Sequence, residues 1–145
     1  MKTVEILQGK PEDIVKILRL MKKSHESWMK DFPDYDEGCA MVWIAEVLSR
    51  GLVLNAELGG RLVGTIGFTP AKLPWNKLTL HLRSEWFTLA DPAVEGLREQ
   101  LLRKAWDIAK ARGMSLLLNI PAQHDTALTQ ACDNRMFSSY WVGDK

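Results

Sequence analysis

The sequence predicts an α/β (α+β) chain: a mixed, mostly antiparallel sheet flanked by helices. Three observations carry this. Gly59-Gly60 separates two apolar runs, the mark of a tight hairpin. Residues 94–112 repeat Leu97, Leu101, Ala105 and Ile108 at helical spacing. Residues 114–120 are nearly all apolar, as in a strand covered on both faces.

In chain order, residues 4–7 predict a first short strand, closed by Gly9. Pro11 suits the first turn of a helix, with Glu12 and Asp13 near its positive end. Ile14, Ile17, Leu18 and Met21 continue that helix to about Trp28. Residues 31–34 break the chain. A second helix is expected over 37–49, with Met41, Ile44, Ala45 and Leu48 inward and Gly51 as its cap. The hairpin follows, with strands at 52–58 and 61–69. Residues 70–76 hold two prolines and read as a loop. Leu78, Leu80 and Leu82 alternate with Thr79, His81 and Arg83, so a half-buried fourth strand should run on to Leu89. Asp91-Pro92 ends it before the helix at 94–112, which Gly113 closes. After the apolar strand, a short helix is expected at 126–134 and a last strand at 137–142. The order is β-α-α-β-β-β-α-β-α-β, which implies helices on both faces of the sheet.

The bulk numbers narrow the function classes. A chain of 145 residues, 46% hydrophobic and 26% charged, reads as one globular domain over 1–145. Nineteen basic and 18 acidic residues nearly cancel, which gives no basic field for nucleic acid. No run of 18 apolar residues and no leader pattern is seen, so the expectation is a cytoplasmic protein with no membrane partner. Cys39 and Cys132 lie far apart without CxxC spacing, and no His/Cys/Asp/Glu set has metal spacing, so no metal is expected. His124 stands in a loop beyond the fifth strand, where a lone His is ordinarily solvated.

The segment Trp86-Phe87-Thr88-Leu89-Ala90-Asp91-Pro92, a turn, a long helix and then Ala111-Arg112-Gly113-Met114 before an apolar strand resembles the cofactor unit of the GNAT (Gcn5-related N-acetyltransferase) superfamily. The element order is similar over essentially the whole chain. The resemblance implies acetyl-CoA as co-substrate. Its arm would lie along Trp86, Phe87, Thr88 and Leu89. Its pyrophosphate would meet the amides of Val94, Glu95, Gly96, Leu97 and Arg98, where a helix start offers unpaired N–H groups and positive potential. The family's loop pattern is Arg/Gln-x-x-Gly-x-Gly/Ala. Here it reads Ala93-Val94-Glu95-Gly96-Leu97-Arg98, which keeps only the central Gly. Glu95 adds a negative charge beside the phosphates, and Arg98 could offset it.

The same resemblance implies site residues. Glu85 falls where many members carry a general base, and His81, Arg83 and Glu85 share one strand face unless a bulge intervenes. A solvated, salt-bridged stripe is the plain alternative. In the last helix, Asp125 to Cys132 parallels the family's Asn-x-x-Ala-x-x-Leu-Tyr, with Cys132 at the tyrosine that protonates the leaving thiolate. Tyr140 on the last strand is a substitute. Trp28, Phe32, Tyr35 and Trp75 would line the acceptor side, with His81 and Arg83. The function implied is acetyl transfer to an amine of a small molecule or a protein. The eroded loop, the missing Tyr and six tryptophans also fit a non-catalytic binding or structural protein of the same fold, similar to small phage and prophage GNAT-like proteins. Such a chain would act through an aromatic surface, as a homo-oligomer or in a larger assembly.

Overall fold

A computed structural model describes residues 3–28, 36–73, 76–90, 92–121 and 137–142. The strands are β1 (Val4–Gln8), β2 (Leu52–Leu58), β3 (Arg61–Leu73), β4 (Asn76–Leu89), β5 (Ser115–Pro121) and β6 (Phe137–Val142), and the helices are α1 (Ile14–Trp28), α2 (Glu37–Arg50) and α3 (Leu97–Ala111). The expected short helix at 126–134 lies outside the described residues.

The six strands form one sheet in the order of the chain. Every neighbouring pair is antiparallel except β4 and β5, which run parallel and are joined through α3. One face packs on α3: Leu52, Leu54, Ile66, Phe68, Leu82 and Leu116 meet Leu97, Leu101, Ala105 and Ala109. The other face packs on α1 and α2: Val53 and Trp86 meet Ile17, Leu18, Ile44 and Val47. Apolar area is therefore removed from water on both sides of the central strands, the main stabilising term of such a layered fold.

Local chemistry explains most boundaries. A single 3-10 turn at Pro11–Asp13 leads into α1, and the Asp13 carboxylate accepts the Lys10 N–H at 2.8 Å. Asp36 caps α2 by accepting the Cys39 N–H at 2.9 Å. That hydrogen bond holds the Asp36 carboxyl below its ordinary pKa. Gly59 and Gly60 both take positive φ, as the tight hairpin turn requires.

Several expectations are corrected. On α2 the inward stripe is Ile44 and Val47, flanked by Ala40, Trp43 and Leu48, whereas Met41 and Ala45 face outward. Gly51 is the C-cap of α2 as expected, its N–H donating to the Val47 carbonyl, but at φ −116° it is extended and not left-handed, so the chain passes straight into β2. The proline-containing stretch 70–73 is strand: Pro70 opposes Leu82 in the β3–β4 ladder. The β2 ladder stops at Phe68, so beyond it β3 is an edge, where a proline's missing N–H is tolerated. Leu80 is exposed and His81 buried, the reverse of the alternation expected, because Leu80 lies on this projecting end. Finally, α3 begins at Leu97 and not at Val94. Gly96 sits at φ +75°, which a right-handed helix cannot include, and the Leu97 N–H closes a turn onto the Val94 carbonyl.

Candidate active site

Two irregularities in β4 create the site. The first is a bulge. Phe68 opposes Ser84 and Gly67 opposes Trp86, so Glu85 is an extra residue with no partner across the ladder. A regular strand would put Glu85 and Trp86 on opposite faces. The bulge resets the alternation, and both now point to the α1–α2 side. Trp86 enters that core, 5% exposed, edge-on to Trp43 with ring centroids 5.3 Å apart. Its Nε1 donates to Thr65 Oγ1 at 3.0 Å, Thr65 donates to Asn55 Oδ1 at 2.8 Å, and Asn55 Nδ2 donates to Asp13 Oδ2 at 3.3 Å. This chain satisfies a row of buried polar groups across three strands.

Glu85 sits at the rim of the same face. Thr69 Oγ1 donates to Glu85 Oε1 at 2.7 Å, and Arg83 Nη2 lies 3.8 Å from the same oxygen. The Glu85 side chain keeps 22% of its accessible surface and Arg83 keeps 49%. The carboxylate is thus held at one oxygen and still reachable by solvent.

His81 lies two residues before Arg83 on this face and is 4% exposed. Burial, with Arg83 nearby as a second cause, holds its pKa below the ordinary 6.5. The unfolded chain therefore binds a proton at His81 at higher pH than the folded chain does. Stability from this group is fully present above pH 6.5 and falls as pH drops from there toward the folded pKa. Urea unfolding at about pH 7.5 and about pH 5.5 should show this loss, and His81→Asn should make it smaller. An equal loss in both proteins would remove His81 as its source.

The second irregularity is the end of the β4–β5 ladder. Pairing covers only His81–Ser115, Leu82–Leu116 and Arg83–Leu117. Beyond it, β4 runs on to Leu89 and β5 to Pro121. The Ala90 N–H donates to the Val63 carbonyl, which makes Leu89–Gly64 a wide pair in the β3–β4 ladder. By alternation, the backbone groups of Trp86 and Thr88 face β3. Those of Phe87 and Leu89 face the opening on the β5 side.

That opening leads to the start of α3. Among the described residues no side chain caps the helix there, and the first carbonyl-bound amides are Leu97, to Val94, and Gln100, to Gly96. The amides of Arg98 and Glu99 stand between them at the positive end of the helix. The Arg98 guanidinium lies 5.7 Å from the Phe87 ring centroid, and Glu95 is exposed.

The site thus brings together His81, Arg83 and Glu85 on one face, and Phe87, Leu89, Gly96, Leu97 and Arg98 around the opening. Trp86 contributes its side chain to the core instead. The side chains of Trp28, Phe32, Tyr35, Trp75, Cys132 and Tyr140 lie outside the described residues; the backbone of Tyr140 pairs with Leu118 in β6. Among the described residues no His, Cys, Asp and Glu group could hold a metal ion, and no helix is long and apolar enough to cross a membrane. Thr69 and Gly67 were missed from sequence. Gly64 and Gly67 inside a strand pattern were the available signal, since interior glycines mark bulges and close approaches.

No protein-family model and no curated relative matches the sequence. Solved structures do match. A predicted acetyltransferase with acetyl-CoA from Clostridium acetobutylicum is similar at TM-score 0.73 and 12% identity, over 99% of this chain and 96% of that one. A GNAT family acetyltransferase from Brucella melitensis in complex with acetyl-CoA is similar at TM-score 0.69 and 16% identity, over 99% and 90%. A ribosomal-protein-alanine N-acetyltransferase from Brucella melitensis biovar Abortus 2308 is similar at TM-score 0.65 and 20% identity, over 99% and 100%. None of the three bears on the expected likeness to phage proteins. The six-stranded sheet, its parallel β4–β5 junction and the helices around it give this chain the fold of the GNAT acetyltransferases.

Proposed function

We propose that the chain transfers an acetyl group from acetyl-CoA to an amine of a small molecule or a protein. The observation that carries this reading is the early end of the β4–β5 ladder: the backbone of Phe87 and Leu89 turns to a side where no described strand pairs with it, next to a helix start that no described side chain caps. A linear ligand with amide groups and a terminal diphosphate fits such a groove: strand-like pairing for the amides, helix amides for the anion. Two structures of the same fold carry acetyl-CoA.

Acetyl-CoA would supply an activated acyl group as a thioester. The chain's own part begins with the acceptor. An amine with a pKa near 10.4 is almost wholly protonated at pH 7. Glu85, held at Oε1 and partly open to solvent as a side chain, removes that proton directly or through one water. The free lone pair then forms the C–N bond, the C–S bond breaks, and the departing thiolate takes up the second proton that the nitrogen releases, directly or through water. Phe87, Leu89, Arg98 and Glu99 would hold the donor, so that positioning supplies much of the rate. Arg98 sits close enough to the helix start to balance the charge of Glu95.

Isothermal titration with CoA tests this. Saturable binding at micromolar to low millimolar CoA, about 4 to 8 kcal/mol, is the expected result. No heat at millimolar CoA would remove the enzyme reading. It would favour a non-catalytic protein of the same fold, the second reading, for which the specific support is the exposed Glu95 beside the helix start and the single glycine kept in the loop.

A further inference from the structure

We infer that Thr69 is a positioning residue for the base. The inference rests on the transferase reading for its kinetic consequence, but its geometric consequence stands alone. Thr69 is 8% exposed and lies on β3, opposite Arg83 and two residues from the bulge partner Gly67. Its Oγ1 reaches Glu85 Oε1 at 2.7 Å, the shorter of the two contacts that oxygen receives.

The bulge makes this contact necessary. Glu85 is the β4 residue in this stretch with no register partner on β3, so no cross-strand residue stands directly opposite it. Its side chain would otherwise sample several rotamers at a site where a fifth of it is open to solvent. The Thr69 hydroxyl replaces the missing constraint. It comes from the neighbouring strand, is itself fixed by β branching, and donates to a single oxygen. Arg83 adds a second hold on the same oxygen. Both constraints fall on Oε1, so Oε2 is left to face the acceptor nitrogen or the water before it. A hydroxyl that donates to a carboxylate forms one of the stronger neutral-to-charged hydrogen bonds, which suits a clamp.

Thr69→Val keeps the shape and branching and removes the donor; Thr69→Ser keeps the donor. The first readout is structural. In a crystal structure of Thr69→Val, the Glu85 carboxylate should leave its single position, and in Thr69→Ser it should keep it. The second is kinetic, with acetyl-CoA and the best acceptor from a panel of polyamines, amino acids and lysine peptides. Thr69→Val should lower kcat about tenfold with KM within about twofold, and Thr69→Ser should return kcat to within about threefold of the parent. In a Glu85→Gln background, Thr69→Val should have no further effect on kcat. A carboxylate that stays in place in Thr69→Val overturns the inference, as does an unchanged kcat. If the parent binds CoA yet acetylates no amine, the transferase reading fails, and the crystal structures still decide the role of Thr69. Should Thr69→Val not fold, Thr69→Ala offers the same comparison with Thr69→Ser.

Discussion

Glu85→Gln is expected to lower kcat by about a hundredfold or more, in the range typical for loss of a general base. Its effect on CoA binding should be small, because Glu85 stands on the α1–α2 face and the groove opens on the β5 side. The magnitude follows from the acceptor. At pH 7 an amine of pKa about 10.4 is neutral in roughly one molecule in 2,500, so a base that takes the proton as the bond forms matters greatly. Glutamine keeps the size of the side chain and an oxygen able to accept from Thr69, so the bulge and the core behind it should survive. Steady-state kinetics beside a calorimetric CoA titration separate the two roles. A kcat within about threefold of the parent would assign Glu85 to a surface pair with Arg83, since such exposed pairs contribute little.

The second large effect is on stability. Gly67→Ala should cost about 2–3 kcal/mol, at the upper part of the range for overpacking. A Cβ on Gly67 would meet two ring atoms of Trp86 at 2.6 Å and a third at 2.9 Å. The ring cannot easily move aside. Its Nε1 donates to Thr65, its ring makes a T-shaped contact with Trp43, and it is buried among Ile17, Leu18, Ile44 and Val47. The midpoint of thermal unfolding should fall by roughly 6–12 °C for a chain of this length. Shrinking the ring should recover part of this: Gly67→Ala with Trp86→Leu should lose less than the two single changes summed, as neighbours in contact do. Strict additivity would mean that the two residues do not meet. Because Trp86 follows Glu85 directly, the alanine variant should also lose activity beyond what its stability explains.

The reach of the sequence can be judged from particular residues. Gly59-Gly60 announced the β2–β3 hairpin, and the period of Leu97, Leu101 and Ala105 announced α3. Both are local signals, set by backbone dihedrals and by which side of one element is apolar. Glu85 was picked out by the family resemblance, and its role stays a proposal. By contrast, Pro70 suggested a loop and lies in a strand, because the tolerance for proline depends on where β2 stops. Val94 looked like the start of α3, and one left-handed glycine moved that start to Leu97. On α2, Met41 and Ala45 read as inward with Ile44 and Leu48, whereas the structure buries Ile44 and Val47 and exposes the first two. What separated them was the position of the sheet beneath.

What the sequence alone determined about this protein is the series of elements, the fold class and the stretch of β4 that carries the candidate base. The arrangement of the candidate site came from contacts between distant parts of the chain. Only the pairing of β3 with β4 makes Glu85 a bulge residue and brings Thr69 to its carboxylate, and only the end of the β4–β5 ladder at Arg83 leaves the backbone of Phe87 and Leu89 without a partner among the described strands. The reason is physical: helix and turn preferences act over a few neighbouring residues, whereas register and ladder length are settled by contacts between residues far apart in the chain, here by the fit of the Trp86 ring over Gly67.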